Sequence, residues 1–214
     1  MDDVERIAEE VLRRLRGPEP QGAPHGAIPV SVSARHVHVT HESLGRLFGE
    51  GHRLSKLRDL MQPGEFACEE CVTLVGPSMR AIEGVRILGP VRSYTQAEIS
   101  RTDGIRLGID PPVRKSGDVA GSPPITLVGP GGTLALREGG IRATRHIHMT
   151  ERDAEVHAVR DGDLVRVRFP GPKALVFENV LVRVAKAAAL ELHLDTDDAN
   201  AADVRLPMTV DILR

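Results

Sequence analysis

Tryptophan is missing, tyrosine occurs once, at Tyr94, and aromatic residues make up only 2% of the chain. Single-stranded nucleic acid is gripped largely by stacking bases on aromatic side chains, so that mode is excluded. A net charge of −2 withholds the basic surface that duplex binding needs. No stretch approaches the run of about eighteen apolar residues that spans a membrane. The N-terminus also lacks the basic start and apolar core of a secretory signal, so a soluble, intracellular protein without a membrane or nucleic-acid partner is expected. Cys68 and Cys71 are the only cysteines, too few for a disulfide framework, and their CxxC has no second half-site at zinc-finger spacing; both are expected to be reduced bystanders. A P-loop, a GxGxxG following a strand and a GxSxG elbow are likewise missing, which argues against nucleotide folds and serine nucleophiles.

What is present is a turn-rich globular composition, 27% charged and 41% hydrophobic with 21 Gly and 15 Pro, which favours neither disorder nor a fibrous repeat. Residues 1–16 carry Val4, Ile7, Ala8, Val11, Leu12 and Leu15 on one helical stripe, acids early and arginines late, and predict an amphipathic helix. The Pro/Gly-rich linker 17–27 detaches this helix from the body, and a tethered apolar stripe needs a partner. From residue 28 short alternating apolar segments dominate: IPVSVSARHVHV, CVTLVGP, GVRILGPVR, PITLVGP, LVRVRF and ENVLVRV. These read as strands. Short helices are expected around 42–48, 96–107, 151–158 and 197–202, with Thr40 and Thr150 as N-caps. The body is therefore expected to be mainly β.

An internal repeat is visible. VTLVGP at 72–77 recurs as ITLVGP at 125–130, and the same interval separates Pro77 from Arg92 and Pro130 from Arg145. Glu98 with Glu151 and Asp110 with Asp163 keep that register. RHVHVT, starting at Arg35, matches RHIHMT, starting at Arg145, whereas RSYTQA after Arg92 places Ser93 and Thr95 where the histidines would be. Duplicated small β-barrels account for this pattern.

His36 and His38 are one residue apart in an alternating segment, so both imidazoles leave the same strand face while Val37 and Val39 point into the core. His146 and His148 repeat the geometry. Paired neutral imidazoles suit a divalent metal such as Zn²⁺, and the duplication in matching R-H-x-H contexts outweighs the shortness of the motif. His193, on the polar face of LELHLDT between Glu191 and Asp195, is the best third ligand, and those acids are candidates to orient imidazoles. His25 lies in the linker, and His41, His52 and His157 have no ligand spacing. Arg35, Arg92 and Arg145 stand at strand ends, where a guanidinium grips phosphate or carboxylate or pairs internally with Glu98 or Glu151.

SARHVHVT at 33–40, KLRDLMQPGEFACEECVTLVGP at 56–77, the segment from Arg92 to Pro112, SGDVAGSPPITLVGP at 116–130, RHIHMT at 145–150 and LHLDTDDANAA at 192–202 jointly resemble the PduL-type phosphate propanoyltransferases (phosphotransacylases) of bacterial microcompartments, over residues 28–205. The resemblance implies exchange of coenzyme A and phosphate on a short acyl group, propanoyl or acetyl, within propanediol degradation. It implies two small interleaved β-barrels with short capping helices, one from 28–35 plus 144–214 and the other from 36–143, with a hairpin insertion near 50–70. Two zinc ions are implied between them, the first on His36, His38 and Glu98, the second on His146, His148 and His193, with Arg92 binding phosphate. It further implies a homodimer with higher-order assembly in the microcompartment lumen of the cytoplasm, residues 1–27 engaging shell or core proteins. A dinuclear zinc hydrolase such as a thioesterase, and a non-catalytic core organiser, are the competing readings.

Overall fold

A computed structural model describes residues 27–213. The helix expected over residues 1–16 lies outside them. The chain runs β1 (Ile28–Val32), β2 (His36–His38), α1 (His41–Phe48), β3 (Lys56–Asp59), β4 (Phe66–Val75), β5 (Ala81–Gly89), β6 (Gln96–Glu98), α2 (Arg101–Leu107), β7 (Val113–Arg114), β8 (Ile125–Gly129), β9 (Gly132–Leu136), β10 (Gly140–Ala143), β11 (His146–Met149), α3 (Glu151–His157), β12 (Leu164–Phe169), β13 (Leu175–Val184), β14 (Glu191–Leu194), α4 (Thr196–Ala201) and β15 (Thr209–Leu213). The mainly β body with short capping helices is as the sequence indicates. No helix among the described residues is long and apolar enough to cross a membrane.

Six strands close into a barrel in the order β1-β14-β11-β13-β12-β15, with β15 returning to β1. Alternation turns Ile28 and Val30, Val167 and Phe169, Val180 and Val182, and Leu192 and Leu194 into its core. The remaining strands form a second sheet, β7-β10-β6-β2-β5-β4-β8-β9, with β3 on β4, around Val37, Leu74, Ile87 and Leu127.

The two sheets share one plan. β10-β6-β2-β5-β4 matches β1-β14-β11-β13-β12 strand for strand, and each neighbouring pair keeps its sense: parallel, antiparallel, parallel, antiparallel. They part at the last edge. In the barrel β12 pairs with β15, which closes onto β1; in the second sheet β8 occupies the corresponding edge of β4. The β8–β9 hairpin then docks on α1, where Gly131 N–H donates to the Leu47 carbonyl at 2.7 Å. A side chain at Gly129 would put its Cβ 2.3 Å from that same oxygen, so only glycine permits the approach. The second sheet is consequently a half-barrel.

The halves of the chain are also exchanged. β1 belongs to the closed barrel but leads directly into β2 of the half-barrel, and β10 belongs to the half-barrel but leads directly into β11 of the closed barrel.

Four copies of one small unit, a strand, a capping residue and a one- or two-turn helix, follow from this plan. Thr40, Ser100, Thr150 and Asp195 are the caps, each in extended conformation and accepting from a backbone N–H one turn into the helix. A side-chain cap stabilises a helix by about 1 kcal/mol, a large share for helices this short. The helix expected from residue 96 starts only at Arg101, because Gln96–Glu98 pair in the sheet and Ser100 begins the turn. The repeat register also changes. Leu74 and Leu127, from the two TLVGP segments, are cross-strand partners on β4 and β8, so these segments are neighbours rather than equivalents.

Candidate metal centres

In each unit the residues four and two positions before the cap share a strand face. They are His36 and His38, Gln96 and Glu98, His146 and His148, and Glu191 and His193. Antiparallel pairing sets His36 opposite Glu98 and His38 opposite Gln96. In the barrel it sets His146 opposite His193 and His148 opposite Glu191. Two triads result, His36/His38/Glu98 and His146/His148/His193, each with one ligand-type atom per residue lying within 4.8 Å of the others.

The first triad is buried, with His36 and His38 each 5% exposed and Glu98 8%. Backbone carbonyls fix the rings: Ala34 O accepts from His36 Nδ1 at 2.9 Å and Leu88 O from His38 Nδ1 at 3.3 Å. Both Nε2 atoms then carry lone pairs and face the carboxylate, at 3.5 Å to Oε2 and 3.6 Å to Oε1. Gln96 Nε2 donates to Glu98 Oε1 at 2.6 Å and to Ser116 Oγ at 2.8 Å, while Gly117 N–H donates to its Oε1 at 2.8 Å.

In the second triad His146 Nδ1 donates to Thr144 O at 2.8 Å, and His146 Nε2 and His148 Nε2 stand 3.0 Å apart. His193 Nε2 donates to Glu191 Oε2 at 2.6 Å, leaving Nδ1 with the lone pair. Glu191 is 3% exposed.

Burial keeps His38, His146 and His148 neutral at physiological pH. It takes His38 down to about 4, with His36 adding to the effect, and takes His146 to about 3 and His148 to about 4, with His193 adding to both. Burial alone would raise the Glu98 carboxyl, but His36 and His38 hold it below the usual carboxylate range. Neutral imidazole lone pairs converging with an ionised carboxylate are the donor set of a divalent first-row metal. The His146 and His148 Nε2 atoms face each other closely enough for one cation to take both, in place of the hydrogen bond that His148 Nε2–H donates to the His146 lone pair in its absence.

Arg92 stands beside the first triad. Its N–H donates to Val39 O at 2.8 Å, and its Nη2 pairs with Glu65 Oε1 at 2.5 Å. The corresponding backbone bond in the barrel comes from Ala185 N–H to Met149 O at 2.9 Å, so the second triad has no matching arginine. Arg35 and Arg145 hold the folded units together instead. Arg35 Nε donates to both Asp103 oxygens at 2.9 Å, and Arg145 Nε lies 3.5 Å from Asp198 Oδ2 with its guanidinium over the Phe177 ring. Internal ion pairs thus exist, but with acids in the first turns of α2 and α4, not with Glu98 or Glu151. Ser93 and Thr95 stay out of the triads; Thr95 Oγ1 accepts from Thr40 N–H at 3.0 Å, beside the α1 cap.

Cys68 is buried in β4, its thiol pushed up to about 11 by burial and Glu70, and is no ligand candidate. His52 pairs with Glu70 at 2.9 Å. His41 and His157 sit on α1 and α3, and Asp195 caps α4. Sequence reasoning passed over Gln96, Gln62 and Glu65. The position four before a cap marks Gln96 once the units are aligned, whereas Gln62 and Glu65 sit in the β3–β4 turn, where no local pattern marks them.

A cleft of about 440 Å³ opens beside His148, between the β3–β4 turn and β13; Glu65, Lys115 and Arg183 are among its lining residues.

The family model described as phosphate propanoyltransferase matches residues 29–205. A phosphate propanoyltransferase of Lachnoclostridium phytofermentans is 48% identical over 213 residues, covering 99% of both chains. That of Thermotoga maritima is 51% identical over 202 residues, 94% of this chain and 92% of its own. That of Salmonella typhimurium is 48% identical over 181 residues, 84% and 85% of the two chains. With its paired triads on a barrel and half-barrel, the chain belongs to the phosphate propanoyltransferase family of enzymes.

Proposed function

We propose that this protein transfers a short acyl group, propanoyl or acetyl, between coenzyme A and phosphate at two zinc ions, one held by His36, His38 and Glu98, the other by His146, His148 and His193. The convergence of imidazoles in both triads, in a chain of this family, carries the reading. When bound, such ions act as Lewis acids toward the thioester carbonyl. The chain's own residues do the rest. Arg92 offers a planar guanidinium for phosphate beside the first triad, where Glu65 now pairs with it. Lys115 and Arg183 line the cleft beside His148, together with Glu65 and Asp161, and offer cationic contacts to an anionic reactant. A phosphate oxygen attacks the carbonyl carbon, the C–S bond breaks and coenzyme A leaves as thiolate; no side-chain nucleophile is needed, because positioning alone supplies up to about 7–11 kcal/mol.

Metal analysis combined with phosphate-dependent release of coenzyme A from acetyl-CoA and propanoyl-CoA tests this. Acyl phosphate as product supports the transferase; free acid independent of phosphate supports the hydrolase; two bound ions without turnover support the organiser.

Residues 1–27, by their apolar stripe and tether, suit docking in a groove of a shell or core protein, with a homodimer packed in the microcompartment lumen. Deleting residues 1–20 is expected to leave zinc content and specific activity intact while reducing assembly size and abolishing delivery of a fused reporter to shells. Light scattering and co-purification check this, and loss of activity on truncation would contradict it.

A further inference from the structure

Each triad has a residue bracing its third member, but the braces differ in origin. Gln96 braces Glu98 and is itself anchored by Ser116 and Gly117 of the same sheet. Glu191 braces His193 and, besides a hydrogen bond from Ser31 of β1 in its own barrel, is anchored from the other sheet, by Gln62 in the β3–β4 turn. Gln62 is 7% exposed. Its Nε2 donates to Glu191 Oε2 at 2.8 Å and to Ala189 O at 3.0 Å, and its Oε1 accepts from Ala189 N–H at 3.2 Å. That pattern fixes the amide orientation, because a flipped amide would set its oxygen against a carbonyl and a carboxylate and its NH₂ against an N–H. Glu191 Oε2 thus receives one hydrogen bond from Gln62 and one from His193 Nε2, and the second selects the His193 tautomer with its lone pair on Nδ1.

Resting on the metal reading above, we propose that Gln62 is a positioning residue for the second triad: through Glu191 it fixes the tautomer and angle of His193, and so sets the metal affinity of that triad alone. Partners one step behind a metal ligand typically change affinity about 10- to 100-fold when lost. The turn carrying Gln62 also carries Glu65, the partner of Arg92, so one loop of the half-barrel reaches the barrel's triad and the phosphate-type arginine together.

The test measures zinc affinity in the full chain by competition with a chromophoric chelator, and ligand geometry by the visible absorption of Co²⁺-loaded protein. His36→Ala with His38→Ala leaves the second triad alone; His146→Ala with His148→Ala leaves the first. Adding Gln62→Met, which keeps length and removes every hydrogen bond, is expected to weaken zinc by up to about tenfold in the first background, the low end of that range because Gln62 acts through Glu191, and to leave it within about twofold in the second. Glu191→Gln, which keeps an acceptor but removes the charge directly behind His193, should weaken zinc more, about 10- to 100-fold, and shift the Co²⁺ spectrum of the second triad only. Should either double variant fail to fold, Gln62→Met in the otherwise natural chain must weaken one of two zinc equivalents and spare the other. Equal weakening of both equivalents, or of neither, overturns the proposal while leaving the metal reading standing. A natural chain that takes up no zinc overturns both.

Discussion

The two triads occupy matching places on matching sheets, yet the carboxylate stands in a different place in each. In the half-barrel the carboxylate of Glu98 belongs to the triad and the amide of Gln96 stands behind it; in the barrel the imidazole of His193 belongs to the triad and the carboxylate of Glu191 stands behind it. Each site therefore has one acidic residue among the same four positions, in direct contact in one case and at one remove in the other. Strand pairing sets where four side chains converge, and the choice of residue at two of those positions sets how negative the inner shell is. A bound metal should be the stronger Lewis acid in the all-imidazole triad, which is also the one beside the cleft.

The largest effect should come from dismantling either triad. His36→Ala, His38→Ala, His146→Ala, His148→Ala or His193→Ala is expected to reduce turnover more than about 100-fold, beyond the range for residues one step further out, and to lower bound zinc from two equivalents to one. His41→Ala and His157→Ala should leave both quantities unchanged. Equal activity in all seven variants would dissolve the comparison.

Rebuilding the first triad in the image of the second comes next. Glu98→His with Gln96→Glu should retain two zinc equivalents, whereas Glu98→His alone, lacking the carboxylate behind it, should bind its zinc about 10- to 100-fold more weakly by chelator competition. Arg92 has no counterpart in the barrel, and Arg92→Lys keeps charge but loses the planar fork. Losing one charge-assisted hydrogen bond costs about 1.5–3 kcal/mol, so the phosphate KM should rise about tenfold or more while the acyl-CoA KM stays unchanged, as steady-state kinetics would record.

The last effect bears on stability and not on turnover. In metal-stripped protein His38, His146 and His148 have native pKa values of about 4, 3 and 4, below the unfolded value of 6.5. The unfolded chain therefore binds more protons, and native stability falls as pH drops from 6.5 towards 4. Urea titrations across that range should show the decline, flattened more by His146→Gln with His148→Gln than by His38→Gln, since two of the three groups belong to the second triad.

The histidine pairs were legible because strand alternation and duplication both act on adjacent residues. Glu98 was reached only through family resemblance, since nothing local distinguishes it from other acids. The sequence repeat suggests a register that the fold does not keep, because the TLVGP segments line the same core from neighbouring strands and share composition for that reason, whereas the true equivalents share only a cap and two inward positions. The two sheets differ at one edge because the β8–β9 hairpin takes the edge of β4, a competition between strands that no single segment records. Gln62 and Glu65 act across the fold, through a turn whose sequence carries no pattern.

The exchange of first strands bears on how the protein is made. β1 is synthesised first but finds its partners only in β14 and β15, at the far end of the chain. Its contacts are among the most distant in sequence that the chain permits, which places barrel closure late and makes it slow. During translation the half-barrel can gather β2 to β10, completing the first triad, while β1 waits unpaired beside it. The second triad has to wait for β14 to leave the ribosome, so the two sites are born in order, and a chain interrupted before residue 190 carries one triad and an open strand edge ready to pair with a neighbour.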